Sequence, residues 1–156
     1  MPIKMVNEII KPEEKEKIAR IILTKLPDWF GLPESTEEYL RCCKNMPFWT
    51  ATVDTKVQGF IALKENSAFT AEIYVMGVLP DLHHHGIGTL LFERFFNYAK
   101  EKGYEFIQVK TVQKGHYEEY DRTNQFYESL GFRELECLPT LWDKHNPCQI
   151  YIKAVI

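Results

Sequence analysis

The chain has 156 residues, 45% of them hydrophobic and 26% charged, with 19 basic side chains against 22 acidic ones. That is the length of one domain with a substantial core, and we expect a single domain over residues 1–156. The net charge of −3 argues against a nucleic-acid binder, which needs a basic face for its phosphate contacts. No apolar run reaches the length of a membrane span, and the start Met1–Val6 has no signal-peptide core, so a cytoplasmic protein without a membrane partner is expected. Cys42, Cys43, Cys137 and Cys148 form no C-x-x-C pair, which suits free thiols in a reducing compartment.

Met5–Ile10 reads as a short opening strand. Pro12, Glu13 and Glu14 open a helix with proline at its first position and acids in its first turn. Ile18, Ile21, Ile22 and Leu26 carry the helical spacing, and Pro27 stops it. An aromatic loop with Trp29, Phe30 and Leu32 leads to a second helix, opened by Ser35 or Thr36 and running to Lys44. From Phe48 the pattern becomes strand-like: Phe48–Val53 and Val57–Leu63 flank a hairpin turn at residues 54–56, and Thr70–Val78 follows. The stretch from Thr89 to Lys102 is a long amphipathic helix, with Ile87, Leu90, Leu91, Phe95, Tyr98 and Ala99 on one face and Gly103 just past its end. Phe106–Val112 is a further strand, and Asp121–Leu130 is a short helix with Thr123, Phe126, Tyr127 and Leu130 inward. Phe132–Leu138 and Gln149–Val155 close the chain as strands, separated by a long loop from Pro139 to Cys148. This order predicts an α/β chain with a mixed sheet covered by helices.

One stretch, Val75 to Leu91, carries chemistry. A strand is broken at Pro80 and Asp81, and Gly86-Ile87-Gly88 then opens the long helix. The first N–H groups of a helix lack internal partners and its dipole is positive there, so anions bind at such an end. Glycines remove the side chains that would hold a phosphate away. A P-loop is excluded because Gly88 is followed by Thr89-Leu90 and not by lysine. A dinucleotide fingerprint is excluded because Leu91 stands where its third glycine belongs.

The wider pattern is more specific. Val78-x-Pro80-x-x-His83-x-x-Gly86-Ile87-Gly88-Thr89-x-Leu91, followed by Phe126-Tyr127-Glu128-Ser129-Leu130-Gly131-Phe132, resembles the GNAT superfamily of acetyl-CoA-dependent N-acetyltransferases. The resemblance spans Thr50 to Leu138, and the element order extends it over the chain. It implies a mostly antiparallel sheet of about seven strands, splayed near the cofactor and flanked by about four helices. It also implies that acetyl-CoA is the cosubstrate, its pyrophosphate held by the segment His83, His84, His85, Gly86, Ile87, Gly88 and Thr89. The backbone of Met76, Gly77 and Val78 would line the pantetheine arm, with a main-chain N–H near Val78 facing the thioester oxygen. His83–His85 stand where the family carries an arginine or glutamine and other residues. We take them as a weakly basic phosphate rim that loses charge as pH rises, and not as a metal site. Tyr120 stands where many members carry an asparagine that contacts the cofactor.

Acetyl transfer to an amine needs a base for the ammonium proton, donors for the carbonyl oxygen and an acid for the departing thiolate. The resemblance implies Tyr127 as the acid and Glu72 as a base, acting directly or through water. Strand alternation places Glu72, Tyr74, Met76 and Val78 on one face. The expected partners are acetyl-CoA and a primary amine, on a small molecule or a peptide, with a homodimer as the candidate assembly. In the family the acceptor side is formed by regions that here contain Trp29, Phe30, Glu34, Glu37, Glu38, Trp142, Asp143 and His145. The alternative is a domain that binds acyl-CoA without turnover, as a sensor or interaction module.

Overall fold

The computed structural model describes residues 2–80 and 85–156. His83 and His84 therefore lie outside the described residues. The described elements run β1 (Lys4–Glu8), α1 (Pro12–Leu23), α2 (Pro33–Cys43), β2 (Phe48–Val53), β3 (Lys56–Glu65), β4 (Thr70–Val78), α3 (Ile87–Glu101), β5 (Phe106–Val112), α4 (Glu118–Ser129), β6 (Arg133–Asp143) and β7 (Asn146–Ala154). They build the expected mixed architecture: one seven-stranded sheet in the order β1-β2-β3-β4-β5-β7-β6. Every neighbouring pair is antiparallel except β4 and β5.

Each sheet face has its own core. On one face α1 and α2 bury Ile22, Leu23, Leu26 and Leu40 against Phe48, Phe60, Ala62 and Val75. On the other, Ile87, Leu91, Phe92 and Phe95 of α3 and Tyr127 of α4 pack on Trp49, Ile61, Ile73 and Val109. Fully burying a side chain such as Phe95 or Ile22 is worth about 1.5–3 kcal/mol, so these contacts decide which face each helix covers. The buried face of α3 includes Phe92, while Leu90, expected there, is half-buried. All four cysteines are free thiols.

Several expected boundaries move for local reasons. Proline at the first position starts α2 at Pro33, two residues ahead of Ser35. Acids at 118, 119 and 121 fill the first turn of α4, which begins before Asp121. The loop expected over residues 139–148 is instead a hairpin. Asp143 Oδ1 accepts from the His145 N–H at 2.9 Å and from Asn146 Nδ2 at 3.0 Å, which closes a tight turn between β6 and β7. Pro139 is tolerated because β6 is the sheet edge, where a missing N–H removes no ladder bond on the solvent side.

Two irregularities shape the middle of the sheet. Ala62 pairs with Val75 but Leu63 pairs with Ile73, so Tyr74 is the extra residue of a β-bulge. Alternation breaks there. Tyr74 and Val75 both face α1 and α2, while Met76 and Val78 pack with the α3 core. The expectation that Glu72, Tyr74, Met76 and Val78 share a face is thus corrected: Glu72 goes with Tyr74, and the later pair is turned over. Second, the parallel pairing of β4 with β5 ends at Ile73↔Val109, although β4 runs on to Val78 and β5 to Val112. The two strands part.

The β2–β3 turn is strained. Asp54 and Thr55 both have positive φ, 50° and 72°, as a two-residue primed turn requires. Asp54 is useful there because its carboxylate accepts from the Ile3 N–H at 2.9 Å, but a β-branched residue at Thr55 pays steric energy for that conformation. Thr55→Gly is expected to stabilise the fold by ~0.5–1 kcal/mol, read as a raised urea midpoint with an unchanged slope. A lowered midpoint would contradict this.

Candidate active site

The parting of β4 and β5 opens a cleft of about 1090 Å³. Its walls are residues 73–78 of β4, 109–112 of β5, the start of α3 and the inner face of α4. The segment from Leu26 to Leu32 and the β6–β7 hairpin form its rim.

Backbone direction explains what faces the gap. Leu79 N–H bonds the Gln58 carbonyl, so Gly77 and Val75, two and four residues back in the same register, turn their polar groups to β3. Met76 and Val78 turn theirs towards the side that β5 has left. Gln113 N–H bonds the Pro147 carbonyl, so by the same alternation Lys110 and Val112 face the gap from β5. Gly77 lets α1 close on β4. A Cβ there would meet Ile22 at 2.9 Å and Leu26 at 3.0 Å.

At one end of the cleft lies the start of α3. Gly86 holds the N-cap position at φ 81°, and among the described residues no side chain caps the helix. The first ladder bond runs from Leu90 N–H to the Gly86 carbonyl, so the N–H groups of Ile87, Gly88 and Thr89 lie ahead of it. No acid stands in the first turn. Among the described residues a Cβ on Gly86 would meet nothing within 4 Å, so none of them crowds those amides from this side. Gly88 serves close packing instead, because a Cβ there would meet the Phe126 ring at 2.9 Å. His85 is exposed, and its carbonyl accepts from Lys4 Nζ at 2.8 Å, so the first strand ties down this turn.

Tyr127 lines the cleft from α4, buried between Phe126, Phe132 and Tyr151 at ring distances of 5.5, 5.8 and 6.3 Å. Burial pushes its hydroxyl far above the ordinary phenol range, with the Tyr120 and Tyr39 phenols adding to the shift. The group holds its proton at any physiological pH. Tyr120 donates to the Trp29 carbonyl at 2.9 Å, and Trp29 Nε1 donates to Thr123 Oγ1 at 3.2 Å. The Tyr120 hydroxyl therefore joins the rim to α4, and burial raises its pKa to about 12.

Glu72 sits on the opposite face of the sheet from Tyr127, one residue before Ile73, where the cleft wall begins. It is 5% exposed. Its Oε1 accepts from Asn66 Nδ2 at 2.9 Å and Gln108 Nε2 at 3.0 Å and faces Lys110 Nζ at 3.5 Å. Lys110 itself lines the cleft. Of the residues expected on the acceptor side, Trp29, Phe30, Trp142 and Asp143 reach the cleft, whereas Glu37 pairs with Arg20 at 2.8 Å on the surface. Tyr39, Tyr74 and Tyr117 also line it. Neither the aromatic loop nor strand alternation signals them, because helix–sheet packing and the bulge bring them in. No group of three or more metal-ligating side chains occurs among the described residues.

Comparison with known proteins agrees with this geometry. Residues 44–134 match the sequence model of a family described as Acetyltransferase (GNAT) domain. A probable N-acetyltransferase, camello, of Xenopus laevis is 26% identical over 123 residues, covering 68% of this chain and 54% of that protein. The chain spans about half the length of the curated relatives it matches. Among solved structures, one from Desulfovibrio desulfuricans assigned to the GNAT family aligns over 99% of this chain and 100% of that one, with a TM-score of 0.84 at 18% identity. The yncA protein of Salmonella typhimurium, solved with its cofactor acetyl-CoA, aligns over 98% of this chain and 94% of that one, with a TM-score of 0.74 at 13% identity.

The buried phenols set an alkaline limit on the fold. The folded state holds the Tyr120 proton up to about pH 12, whereas an unfolded tyrosine loses it near ~10. The stabilisation is therefore complete below the lower value and is lost as pH rises through the higher one. Unfolding midpoints in urea are expected to fall over that window, and less steeply in Tyr120→Phe. An identical fall in the variant would contradict the assignment.

Proposed function

The chain belongs to the GNAT acetyltransferase family, and from that premise we propose that it moves an acetyl group from acetyl-CoA to a primary amine. The observation that carries the proposal is one continuous cleft. It joins the uncapped start of α3 to Tyr127 through the gap between β4 and β5.

In this reading the amides of Ile87, Gly88 and Thr89 bind the pyrophosphate, assisted by the helix dipole. The backbone of Met76 and Val78 faces the pantetheine arm as a strand would, and Gly77 keeps β4 seated on α1. His85 is exposed on the turn that leads into these amides. The amine enters past the rim of Trp29, Phe30 and Trp142, where Asp28, Glu119 and Asp143 favour a cation.

The reaction balances without a further reagent. The amine nitrogen bonds to the acetyl carbon, the carbon–sulfur bond breaks, and its electron pair leaves on sulfur. Tyr127 gives that sulfur a proton, which its raised pKa keeps available at neutral pH. Glu72 takes the ammonium proton through a water, since it lies just behind the cleft wall on the other sheet face. The nitrogen gives its second proton to solvent as the amide forms, Glu72 releases the first to solvent, and solvent returns one proton to Tyr127. The N-acetyl amine and CoA thiol are the products.

Two substitutions test the roles. Tyr127→Phe is expected to lower kcat by about 10²-fold while the Kd for acetyl-CoA changes little, because the ring still packs. Full turnover in that variant would remove Tyr127 from the mechanism. Glu72→Gln should lower kcat/KM and change its pH profile, and an unchanged kcat/KM and profile would exclude Glu72 as the base. Release of CoA thiol across polyamines, amino acids, aminoglycosides and peptides tests the activity itself. Tight acetyl-CoA binding with no release for any acceptor would overturn it in favour of a binding module.

A further inference from the structure

Asn124 is 0% exposed, and it is one of the few polar side chains fully enclosed in the molecule. Its Nδ2 donates to the Val112 carbonyl at 2.9 Å and to the Tyr120 carbonyl at 2.6 Å. Its Oδ1 accepts from the Tyr151 hydroxyl at 2.7 Å. The two carbonyls can only accept, so the amide has one possible orientation. Aspartate, leucine or serine could not supply two donors and an acceptor at this point.

Where these bonds go matters more than their number. Val112 is the last residue of β5, and its carbonyl faces the gap that β4 has left, so no strand pairs with it. Asn124 takes the place of that missing strand. Tyr151 belongs to β7, and its ring lies tilted against that of Tyr127 at 6.3 Å. Asn124 precedes Tyr127 by three residues on the same face of α4. The amide thus pins α4 to two strands at the level of the gap, one turn from the residue read above as the acid.

We propose that Asn124 is a positioning residue for acyl transfer, holding the Tyr127 hydroxyl in register with the parting of β4 and β5. The inference rests on the acid role proposed for Tyr127. Proton donation to a departing thiolate tolerates little displacement, so an α4 released from Val112 costs turnover and not cofactor affinity. The proposed pyrophosphate cradle sits on α3, and none of the three bonds to Asn124 reaches it.

Two variants carry the test. Asn124→Asp is isosteric and keeps the acceptor but loses both donors, while Tyr151→Phe removes only the bond to Oδ1. For Asn124→Asp we expect kcat to fall about 30-fold, and for Tyr151→Phe about fivefold, with the Kd for acetyl-CoA within about twofold of the parent. In a Tyr127→Phe background, where the hydroxyl is already gone, each further drop should shrink below about twofold. A merely structural role would instead multiply the two losses. If Asn124→Asp does not fold, the milder Tyr151→Phe and its double variant decide alone. Multiplying effects, unchanged kcat in Tyr151→Phe, or loss confined to acetyl-CoA affinity each overturn the positioning role. They leave the acid assignment standing if Tyr127→Phe is itself slow. Full turnover of Tyr127→Phe overturns both.

Discussion

The structure depends on the place where β4 stops pairing with β5. This is the sheet's one parallel junction, and its ladder ends at Ile73↔Val109. The bulge at Tyr74 lies one residue beyond the last pair on β4, where the extra residue bends the strand and increases its twist. Backbone groups left unpaired inside a protein cost about 1–3 kcal/mol each, so a sheet that opens must settle its polar groups in another way. On the β5 side the Val112 carbonyl is settled by Asn124. On the β4 side, the polar groups of Met76 are turned to the gap, as those of a pairing strand would be. The opening is thus a cost to the fold, and in the proposed function it is also the surface that a cosubstrate with amides of its own would meet.

The two residues proposed as acid and base lie in different surroundings on either side of this opening. Tyr127 lies on the face packed by α3 and α4, among aromatic rings whose low polarity raises its pKa. Glu72 lies on the other face, in a polar cluster with Asn66, Gln108 and Lys110. An intact sheet would separate these environments completely. At the gap the cleft reaches Tyr127 directly, while Glu72 stays buried just behind Ile73, bonded to polar side chains. The two expected roles fit these surroundings better than the reverse assignment would, since a carboxylate placed among the aromatic rings would bear the full desolvation cost of its charge.

Much of the fold was legible because it rests on local signals. The strands Thr70–Val78 and Phe106–Val112 follow from runs of β-branched and aromatic residues, and the glycine at 86 marks the start of α3 because only a left-handed cap suits that turn. Other features depend on contacts far apart in sequence. The bulge at Tyr74 is a mismatch with β3, and nothing in the 70–78 stretch announces it, so the faces of Met76 and Val78 were read inverted. The 139–148 segment looked like a loop because its prolines and polar residues are turn formers. It pairs because an edge strand tolerates them, and because Asp143 closes the turn. Asn124 looked like an ordinary polar residue of a short helix. Its partners at Val112 and Tyr151 are 12 and 27 residues away.

The short helix α4 shows how these distant constraints meet. Tyr120, Thr123, Asn124 and Tyr127 follow the three- and four-residue steps of one helical face. Tyr120 and Thr123 tie the helix to the Trp29 rim, Asn124 ties it to the opened edge of β5, and Tyr127 reaches the cleft between them. Rim, gap and Tyr127 are therefore fixed relative to one another by a single element barely three turns long. A shift of the rim would be felt at Tyr120 and carried along α4 to Tyr127 without passing through the sheet. That link gives a physical reason for a tyrosine at position 120: its hydroxyl spans to the Trp29 backbone, a reach that a shorter side chain such as asparagine would not have.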